Sequence, residues 1–300
     1  MKQQWYGTDR SLQIRMFITM FLLSVVYLFF VGALLSAGFD AFSVFLFATL
    51  MLGVQYFFSD KIVLFSAGAR VVSEKEAPQL HALVERLAQQ ADLPKPKVAI
   101  IDTPVPNAFA TGRNQRNSVV AVTRGLLETL TVPELEAVLA HELTHIRNRD
   151  VMVMTIASFF AMVAQIIMRW AFWWGHMFGG DRRRRDGGGI WVAFLVSVLV
   201  WIVSFILIRA LSRYREYAAD RGAALLTGSP SALASALVKI SGTMQRIPQQ
   251  DLREVEGLSA FFIVPPRVQS FIAELVSTHP PLEKRLAYLE RLQREMAGVR

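Results

Sequence analysis

The chain has 300 residues, of which 53% are hydrophobic, and its mean hydropathy of +0.36 is too high for an ordinary water-soluble domain. The formal net charge of +8 is, in a membrane protein, more typical of cytoplasmic loops rich in Lys and Arg than of nucleic-acid binding, and no RNA- or DNA-binding signature accompanies it. The absence of cysteine excludes disulfides and thiolate ligands, so any zinc would be held by His and carboxylate groups, which favours a catalytic over a structural site.

Two apolar stretches near the N-terminus predict a membrane hairpin. Residues 14–37 and 41–58 are each close to the ~20 mostly apolar residues that a helix needs to cross a bilayer. The first stretch is longer than the ~7–15-residue apolar region of a cleaved signal peptide, which favours an uncleaved anchor. Basic residues precede it, whereas the loop 38–40 carries none. We therefore expect residues 1–59 to start in the cytoplasm, cross the membrane and return.

Residues 60–150 have the pattern of the first half of a water-soluble domain. The segment KEAPQLHALVERLAQQADLP has apolar residues at helical spacing, and KVAIID and NSVVAVT predict short strands. Next, Thr131 and Glu134 form a capping-box pattern, so a helix is predicted to begin near Val132.

The segment NAFATG lies between the two predicted strands and is a candidate for substrate binding. Its residues Asn107, Ala108, Phe109 and Ala110 suit an edge strand, which could hold an extended substrate backbone by strand addition. An ordinary core strand flanked by turns is nearly as good an interpretation, so the sequence leaves both open.

The helix that begins near Val132 contains the motif HELTH. His141 and His145 are four residues apart and therefore share one helical face, where their imidazoles could bind one metal ion. Glu142, one residue on from the first histidine, could reach a water molecule on that metal. Surface histidines on an amphipathic helix are the alternative, but the spacing, the helical context and the presence of only five histidines favour a zinc site.

Two further apolar stretches, residues 151–178 and 190–208, follow this motif. Either both stretches cross the membrane or neither does. His145 precedes them and the third ligand is expected after them, and all ligands of one metal ion must lie on the same side of the membrane. The loop 179–189 between them contains four consecutive arginines, which opposes two spans by the positive-inside rule. Residues 190–208 carry no charge, so we favour spans over re-entrant or buried segments; the arginines could contact anionic headgroups or form a solvated turn.

The third ligand is sought in residues 209–300, the predicted second half of the water-soluble domain. In RYREYAADRGAALLTG, Glu216 and Asp220 share a helical face, and Gly228 is placed to end that helix. One carboxylate could bind zinc while the other orients a ligand imidazole. Ion pairs with neighbouring arginines on a solvated face are equally open. His81, on an early amphipathic helix, and His176, in a Trp-rich run, are poorer candidates.

Four motifs in one order give the chain a resemblance to the HtpX family of membrane-bound zinc metalloproteases: NAFATG, HELTHIRNRD, RYREYAADRGAALLTG and THPPLEKRL. The resemblance covers nearly the whole chain. It implies one zinc ion per chain held by His141, His145 and Glu216, with Glu142 as the catalytic glutamate and Asp220 as a supporting carboxylate. It also implies an α+β catalytic domain of the gluzincin type, combined with transmembrane helices, and a role in quality control of damaged or misassembled membrane proteins.

The motif THPPLEKRL contributes His279 and Arg285, which the resemblance places near the metal. A zinc peptidase needs a hydrogen-bond donor for the oxyanion of its tetrahedral intermediate, and neither the ligands nor Glu142 can supply one. His279 could also occupy the open position of the metal and hold the enzyme inactive. The structural alternative is a proline-stiffened turn with His279 as the cap of the C-terminal helix.

The sequence therefore predicts a zinc endopeptidase of the bacterial inner membrane, with its catalytic domain in the cytoplasm. Its expected partners are membrane lipids and membrane-protein or unfolded polypeptide substrates. A CaaX-type prenyl-protein protease shares the zinc motifs, but the short chain and four apolar stretches disfavour it. A membrane scaffold or chaperone with structural zinc is disfavoured by Glu142, because a structural site needs no general base.

Overall fold

Four long apolar helices form the membrane part of the molecule. The computed structural model describes residues 10–36, 38–178, 187–244, 246 and 277–298. In these ranges four helices are long and apolar enough to cross a membrane: α1 (Arg10–Ser36), α2 (Ala41–Ser66), α6 (Asp150–Phe178) and α7 (Gly187–Thr227). The stretches 41–58, 151–178 and 190–208 lie within α2, α6 and α7, and residues 14–36 of the first stretch lie within α1, which supports a membrane-bound protein.

Two of these helices continue well beyond the predicted apolar stretches. Helix α2 runs on past residue 58 to Ser66, and α7 joins the apolar residues 190–208 to the segment that carries Glu216 and Asp220. With 41 residues, α7 is ~60 Å long. The polar residues after 208 keep helical spacing and contain no Gly or Pro before Gly222, so nothing in the sequence stops the helix. The predicted loop 179–189 is also shorter, because residues 187–189 belong to α7; residues 179–186 lie outside the described residues.

A small mixed sheet lies beside the membrane helices. Its strands are β1 (Arg70–Val71), β2 (Lys97–Ile101), β3 (Ala108–Gly112) and β4 (Ser118–Thr123), in the order β1-β2-β4-β3. Strands β2 and β4 are parallel, and the other two pairs are antiparallel. The predicted strands β2 and β4 are confirmed. Strand β3, which belongs to NAFATG, lies at the edge of the sheet that the structure describes.

Five shorter helices complete the described fold: α3 (Pro78–Gln90), α4 (Arg124–Thr129), α5 (Val132–Arg147), α8 (Pro230–Met244) and α9 (Leu282–Met296). Helix α5 is central, with most of its residues buried. Its predicted capping box is confirmed, since the backbone N–H and hydroxyl of Thr131 both donate to Glu134 at 2.8 Å. Glu134 also accepts hydrogen bonds from Ser235 and Lys239, which ties α5 to α8. The fold is α+β with a large excess of helix.

Helices α5 and α7 are in close contact at Gly222. A Cβ atom there would lie 2.4 Å from Cγ2 and 2.6 Å from Oγ1 of Thr144. Thr144 cannot easily turn away, because its hydroxyl donates to the carbonyl of Ala140 at 2.8 Å. The close approach sets the distance between the histidines on α5 and Glu216 on α7.

We expect Gly222→Ala to lower the free energy of unfolding by about 1–3 kcal/mol and to weaken metal binding, because the added methyl group pushes α7 away from α5. Gly242→Ala is the matched control: this glycine is also helical, and a Cβ there would meet no atom within 4 Å. The control should be neutral or more stable, by up to about 1 kcal/mol. Thermal unfolding in detergent and a zinc titration measure both effects; equal behaviour of the two variants would contradict the role of this contact.

Candidate metal centre

Three side chains from two helices converge at the centre of the molecule. His141 and His145 lie on one face of α5, and their Nε2 atoms are 3.1 Å apart. Glu216 reaches them from α7: Oε2 is 3.7 Å from Nε2 of His141, and Oε1 is 3.5 Å from Nε2 of His145. One ligand atom from each of the three lies within 4.8 Å of the other two.

The other ring nitrogen of each histidine faces a buried carboxylate. Nδ1 of His141 is 3.0 Å from Oδ1 of Asp220, and Nδ1 of His145 is 2.5 Å from Oδ2 of Asp150. A carboxylate in this position favours the tautomer with the proton on Nδ1. Both Nε2 atoms then present lone pairs to each other and to the carboxylate of Glu216. Three acceptors at this distance repel one another unless a proton or a metal ion lies between them, so the arrangement is compatible with a bound cation.

The arrangement fits a tetrahedral zinc ion. Zinc binds imidazole nitrogen and carboxylate oxygen at 2.0–2.2 Å, so two of its ligand atoms lie about 3.3 Å apart. The three separations between Nε2 of His141, Nε2 of His145 and the oxygens of Glu216 are 3.1, 3.5 and 3.7 Å. Two histidines and one glutamate also leave a fourth position open, as catalytic zinc sites do.

Two buried arginines hold the supporting carboxylates in place. Arg285 donates to Asp220 through Nε at 2.9 Å and Nη2 at 2.5 Å. Arg215 lies 2.8 Å from Oδ2 of Asp150 through Nη2 and donates to the Asp150 backbone carbonyl at 2.6 Å. All four side chains are buried, so each charge depends on its partner.

Asp150 and Arg215 are functional candidates that the sequence reasoning missed. Asp150 is the first residue of α6, five positions after His145, and the chain turns between the two helices at Arg149, which has a φ of 56°. The i, i+4 spacing of a helix therefore could not predict that Asp150 contacts His145. The available signal was its place in HELTHIRNRD, directly before an apolar helix, where a carboxylate also suits a helix N-terminus.

Glu142 lies beside the three candidate ligands and is 4% exposed. Burial raises the pKa of its carboxyl group to about 7. A carboxylate with a raised pKa in a cleft has the character of a general base.

The candidate site opens into a cleft of about 380 Å³. Glu142, the three candidate ligands and His279 line the cleft together with residues 108–111 of β3. The structure thus brings Ala108, Phe109 and Ala110 to the cleft. Asn107 does not line it: its backbone exchanges hydrogen bonds with Thr123 of β4, from N–H to Oγ1 at 2.8 Å and from Thr123 N–H to its carbonyl at 3.0 Å.

The two candidates from THPPLEKRL occupy different places. Nδ1 of His279 lies 2.9 Å from Oε2 of Glu216, while its Nε2 is buried and has no hydrogen-bond partner among the described residues. His279 does not cap the C-terminal helix, since α9 begins at Leu282 after Pro281. The guanidinium of Arg285 is held mainly by Asp220, and its Nη1 is 3.6 Å from Glu216.

The structure also places the other polar residues that the sequence analysis considered as ligands or as surface residues. Glu216 and Asp220 are 6% and 0% exposed, so they are not on a solvated face. His81 is not part of this cluster, and its Nε2 lies 3.0 Å from the carbonyl oxygen of Val72. The side chain of His176 lies outside the described residues.

Comparison with known proteins identifies the family of the chain. The model of Peptidase family M48 matches residues 74–293, which include both histidines, Glu216 and Arg285. The chain belongs to peptidase family M48. M48 membership makes it a metallopeptidase, and the three-residue cluster is compatible with the metal ion that this activity needs.

Relatives of this M48 chain match it almost end to end. It is 62% identical over 290 residues to a "Protease HtpX homolog" of Moorella thermoacetica, covering 97% of both chains. It is 58% identical over 297 residues to a "Protease HtpX homolog 2" of Methanosarcina mazei, covering 99% of this chain and 100% of the relative. The predicted membership of the HtpX-like membrane metalloproteases is therefore confirmed.

A solved structure shows the same fold. The crystal structure of S. mikatae Ste24p superposes with a TM-score of 0.56 and 18% sequence identity, covering 92% of this chain and 67% of that one. At this identity the likeness extends to the fold alone.

The carboxylates should differ in their effects on metal affinity. We expect Glu216→Ala to weaken zinc binding most, because it removes a ligand, and Asp220→Asn and Asp150→Asn to weaken it by ~10–100-fold, because each only orients a ligand imidazole. Titration with a competing chelator measures the affinities. Glu283→Ala is the control, an exposed glutamate on α9. A normal affinity for Glu216→Ala would mean that the third ligand is a different residue.

Proposed function

We propose that the chain is a zinc-dependent endopeptidase that binds one Zn²⁺ through His141, His145 and Glu216. The observation that carries this proposal is Glu142, a buried carboxylate beside three converging acceptors in a cleft that opens along an edge strand. Zinc, when bound, supplies a Lewis acid that polarises a carbonyl group and lowers the pKa of water toward ~7.

Glu142 acts as the general base and then as the general acid. Its carboxylate accepts a proton from the attacking water at a side-chain oxygen and delivers it to the nitrogen of the departing amine. The raised pKa suits both steps, because a group that titrates near neutral pH can accept and return a proton under the same conditions.

Strand β3 holds the substrate in an extended conformation. In the described sheet β3 pairs on one side only, with β4, which leaves its other edge for a substrate strand. Ala108, Phe109 and Ala110 line the cleft that contains Glu142, so a peptide paired with them would pass the base. Backbone pairing of this kind recognises extended chains without demanding a particular sequence, which suits unfolded substrates.

His279 stabilises the oxyanion, and Arg285 is a positioning residue. The buried Nε2 of His279 has no hydrogen-bond partner among the described residues, and His279 is one of the residues that line the cleft where a substrate oxygen would develop charge. Arg285 acts through Asp220, which holds the imidazole of His141. The same position of His279 also allows the alternative in which its imidazole closes the open position of the metal.

The biological substrates are damaged or misassembled membrane proteins, and the role is quality control in the cytoplasmic membrane. The metal cleft is walled by Met154, Thr155 and Ser158 of membrane helix α6 and by Ser212 of α7, which supports cleavage close to the membrane surface. The N-terminus and residues 60–150 lie in the cytoplasm, as the distribution of basic residues around the first span indicates. The two alternative functions are a CaaX-type prenyl-protein protease and a membrane scaffold or chaperone with structural zinc. The near full-length similarity to HtpX homologues favours neither of them.

Glu142→Gln should retain zinc and lose peptidase activity, because it removes the base and leaves all three ligands. Zinc content and cleavage of an unfolded membrane protein are measured on the same preparation. A chelator should also abolish wild-type activity, and added zinc should restore it. Cleavage by Glu142→Gln near the wild-type rate would exclude the general-base role.

His279→Ala should reduce turnover by ~10²–10³ with zinc retained, as expected when an oxyanion donor is removed. Turnover, zinc content and the midpoint of thermal unfolding separate the interpretations. Equal or higher turnover would indicate the inhibitory role of His279, and unchanged turnover with a lower unfolding temperature would indicate a purely structural one.

Single cysteines introduced into this cysteine-free chain test the orientation. With an impermeant thiol reagent on intact cells, we expect no labelling of Gln89→Cys, on the exposed face of α3, and labelling of Gly187→Cys, at the start of α7. Labelling of the first position from outside would reverse the orientation. Protection of Gly187→Cys would mean that residues 151–178 and 190–208 do not cross the membrane.

A further inference from the structure

A second cleft of about 360 Å³ lies next to the metal centre, at the edge of the membrane part. We call it the arginine pocket: Arg113, Arg116 and Arg149 line it together with Tyr56, Val151 and Met152. It shares Thr111, His145, Asp150 and Val151 with the metal cleft but extends away from Glu142, past the end of strand β3.

The arginine pocket lies at the level where two membrane helices leave the apolar region. Tyr56 is two residues from the end of the candidate span Ala41–Phe58, and Val151 is the second residue of α6. Beyond the span, α2 still exposes large apolar side chains, among them Phe65, which is 89% exposed. Tyrosines and exposed aromatic rings beside a basic residue are typical of the headgroup region of a bilayer.

The arginines of the pocket differ in their partners from three other arginines of this domain. Arg70, Arg86 and Arg124 each pair with a carboxylate within 2.8 Å. In contrast, neither Arg116 nor Arg149 forms an ion pair within the described ranges, and the guanidinium of Arg113 lies over the ring of Phe57, 5.7 Å from its centre.

The positive charge of the arginines and the apolar lining residues of the pocket determine which kind of ligand it can bind. Phe57 is 53% exposed on a membrane helix, which sets the guanidinium of Arg113 beside lipid. The carboxylate of Asp150 does not neutralise the pocket arginines, because His145 and Arg215 already occupy it. A ligand that fits must carry an anionic group for the guanidinium groups and apolar atoms for the side of Tyr56, Val151 and Met152.

The backbone of Arg149 adds a second observation. Its φ of 56° is in the left-handed region, which Asn and Gly adopt more readily than Arg. The backbone conformation at the turn between α5 and α6 therefore does not explain why this position has an arginine. Residues held in such conformations concentrate at binding and catalytic sites.

We propose that the arginine pocket binds the phosphate group of an anionic phospholipid. Guanidinium groups match the geometry of phosphate oxygens with paired N–H donors, and they do so best when shielded from bulk water. The apolar side of the pocket contacts the first atoms of the acyl chains. The lipid occupies the surface next to Asp150 and the end of β3 at Thr111 and Gly112, and it leaves Ala108, Phe109 and Ala110 free for a substrate.

The test is lipid binding by the full-length protein, stripped of lipid in a non-ionic detergent and titrated with short-chain phosphatidylglycerol. Native mass spectrometry counts bound lipids, and the shift of the thermal unfolding midpoint gives the affinity. Arg116→Gln and Arg149→Asn should each weaken binding about fivefold to tenfold, as expected for one cation near a headgroup. Arg149→Asn also suits the left-handed backbone, so it removes the charge without threatening the fold.

Arg294→Gln is the matched control, because Arg294 is exposed on α9 and the substitution changes the net charge equally. It should bind phosphatidylglycerol as the wild type does. Equal weakening by the control would mean diffuse attraction and would overturn the proposed site.

Two further ligands identify what the pocket recognises. Phosphatidylcholine, whose headgroup carries no net charge, and glycerol 3-phosphate, which has no acyl chains, should both bind at least about tenfold more weakly than phosphatidylglycerol. Equal binding of either one would overturn the assignment to an anionic lipid. Normal lipid binding by Arg116→Gln and Arg149→Asn, combined with slower cleavage of acidic peptides, would assign the pocket to the substrate instead.

Discussion

The metal centre depends on two contacts between an imidazole Nδ1 and a buried carboxylate, His141 with Asp220 and His145 with Asp150. These contacts fix both tautomers and aim both Nε2 lone pairs at one point. The buried carboxylates are in turn balanced by Arg285 and Arg215. With neutral histidines, the four carboxylates of the site and these two arginines leave two negative charges in a region that water barely reaches. A divalent cation would remove that excess, so the charge of these residues and their geometry are both compatible with a bound divalent metal ion.

The same contacts join the metal centre to the membrane part. Asp150 opens α6, and Arg215, Glu216 and Asp220 lie on α7, whose first half is one of the apolar spans. Because α7 is continuous, a rotation of its membrane half by even a fraction of a turn would carry Glu216 away from the histidines. The close packing of Gly222 against Thr144 opposes that rotation at the level of the site. The membrane helices are therefore part of the ligand geometry as well as an anchor for the catalytic part.

The sequence predicted those features whose cause is local. Periodicity and capping located α5, and the i, i+4 spacing located His141 and His145 on one of its faces. It predicted Glu216 and Asp220 as a pair but left open whether they were solvated, because burial depends on partners 60 to 80 residues away. Arg285 and Asp150 show the limit most clearly: one reaches Asp220 across 65 residues, and the other meets His145 through a turn that breaks the helical period. The continuity of α7 was missed because an abrupt change from apolar to polar residues is easily taken for the end of a helix, although composition alone does not break one.

Asp150 gives the arginine pocket a direct route to the metal centre. Its carboxylate holds His145 on one side, and its backbone follows Arg149, whose side chain lines the pocket on the other. A phosphate held by Arg149 would restrain the corner between α5 and α6, and with it the carboxylate that orients His145. If a lipid binds there, it would restrain the proposed zinc ligand His145 without contact with the metal, because Arg149 and Asp150 are adjacent in the chain and Asp150 is hydrogen-bonded to His145. The membrane would then act on this peptidase twice, by fixing the two long helices and by filling the pocket where they begin.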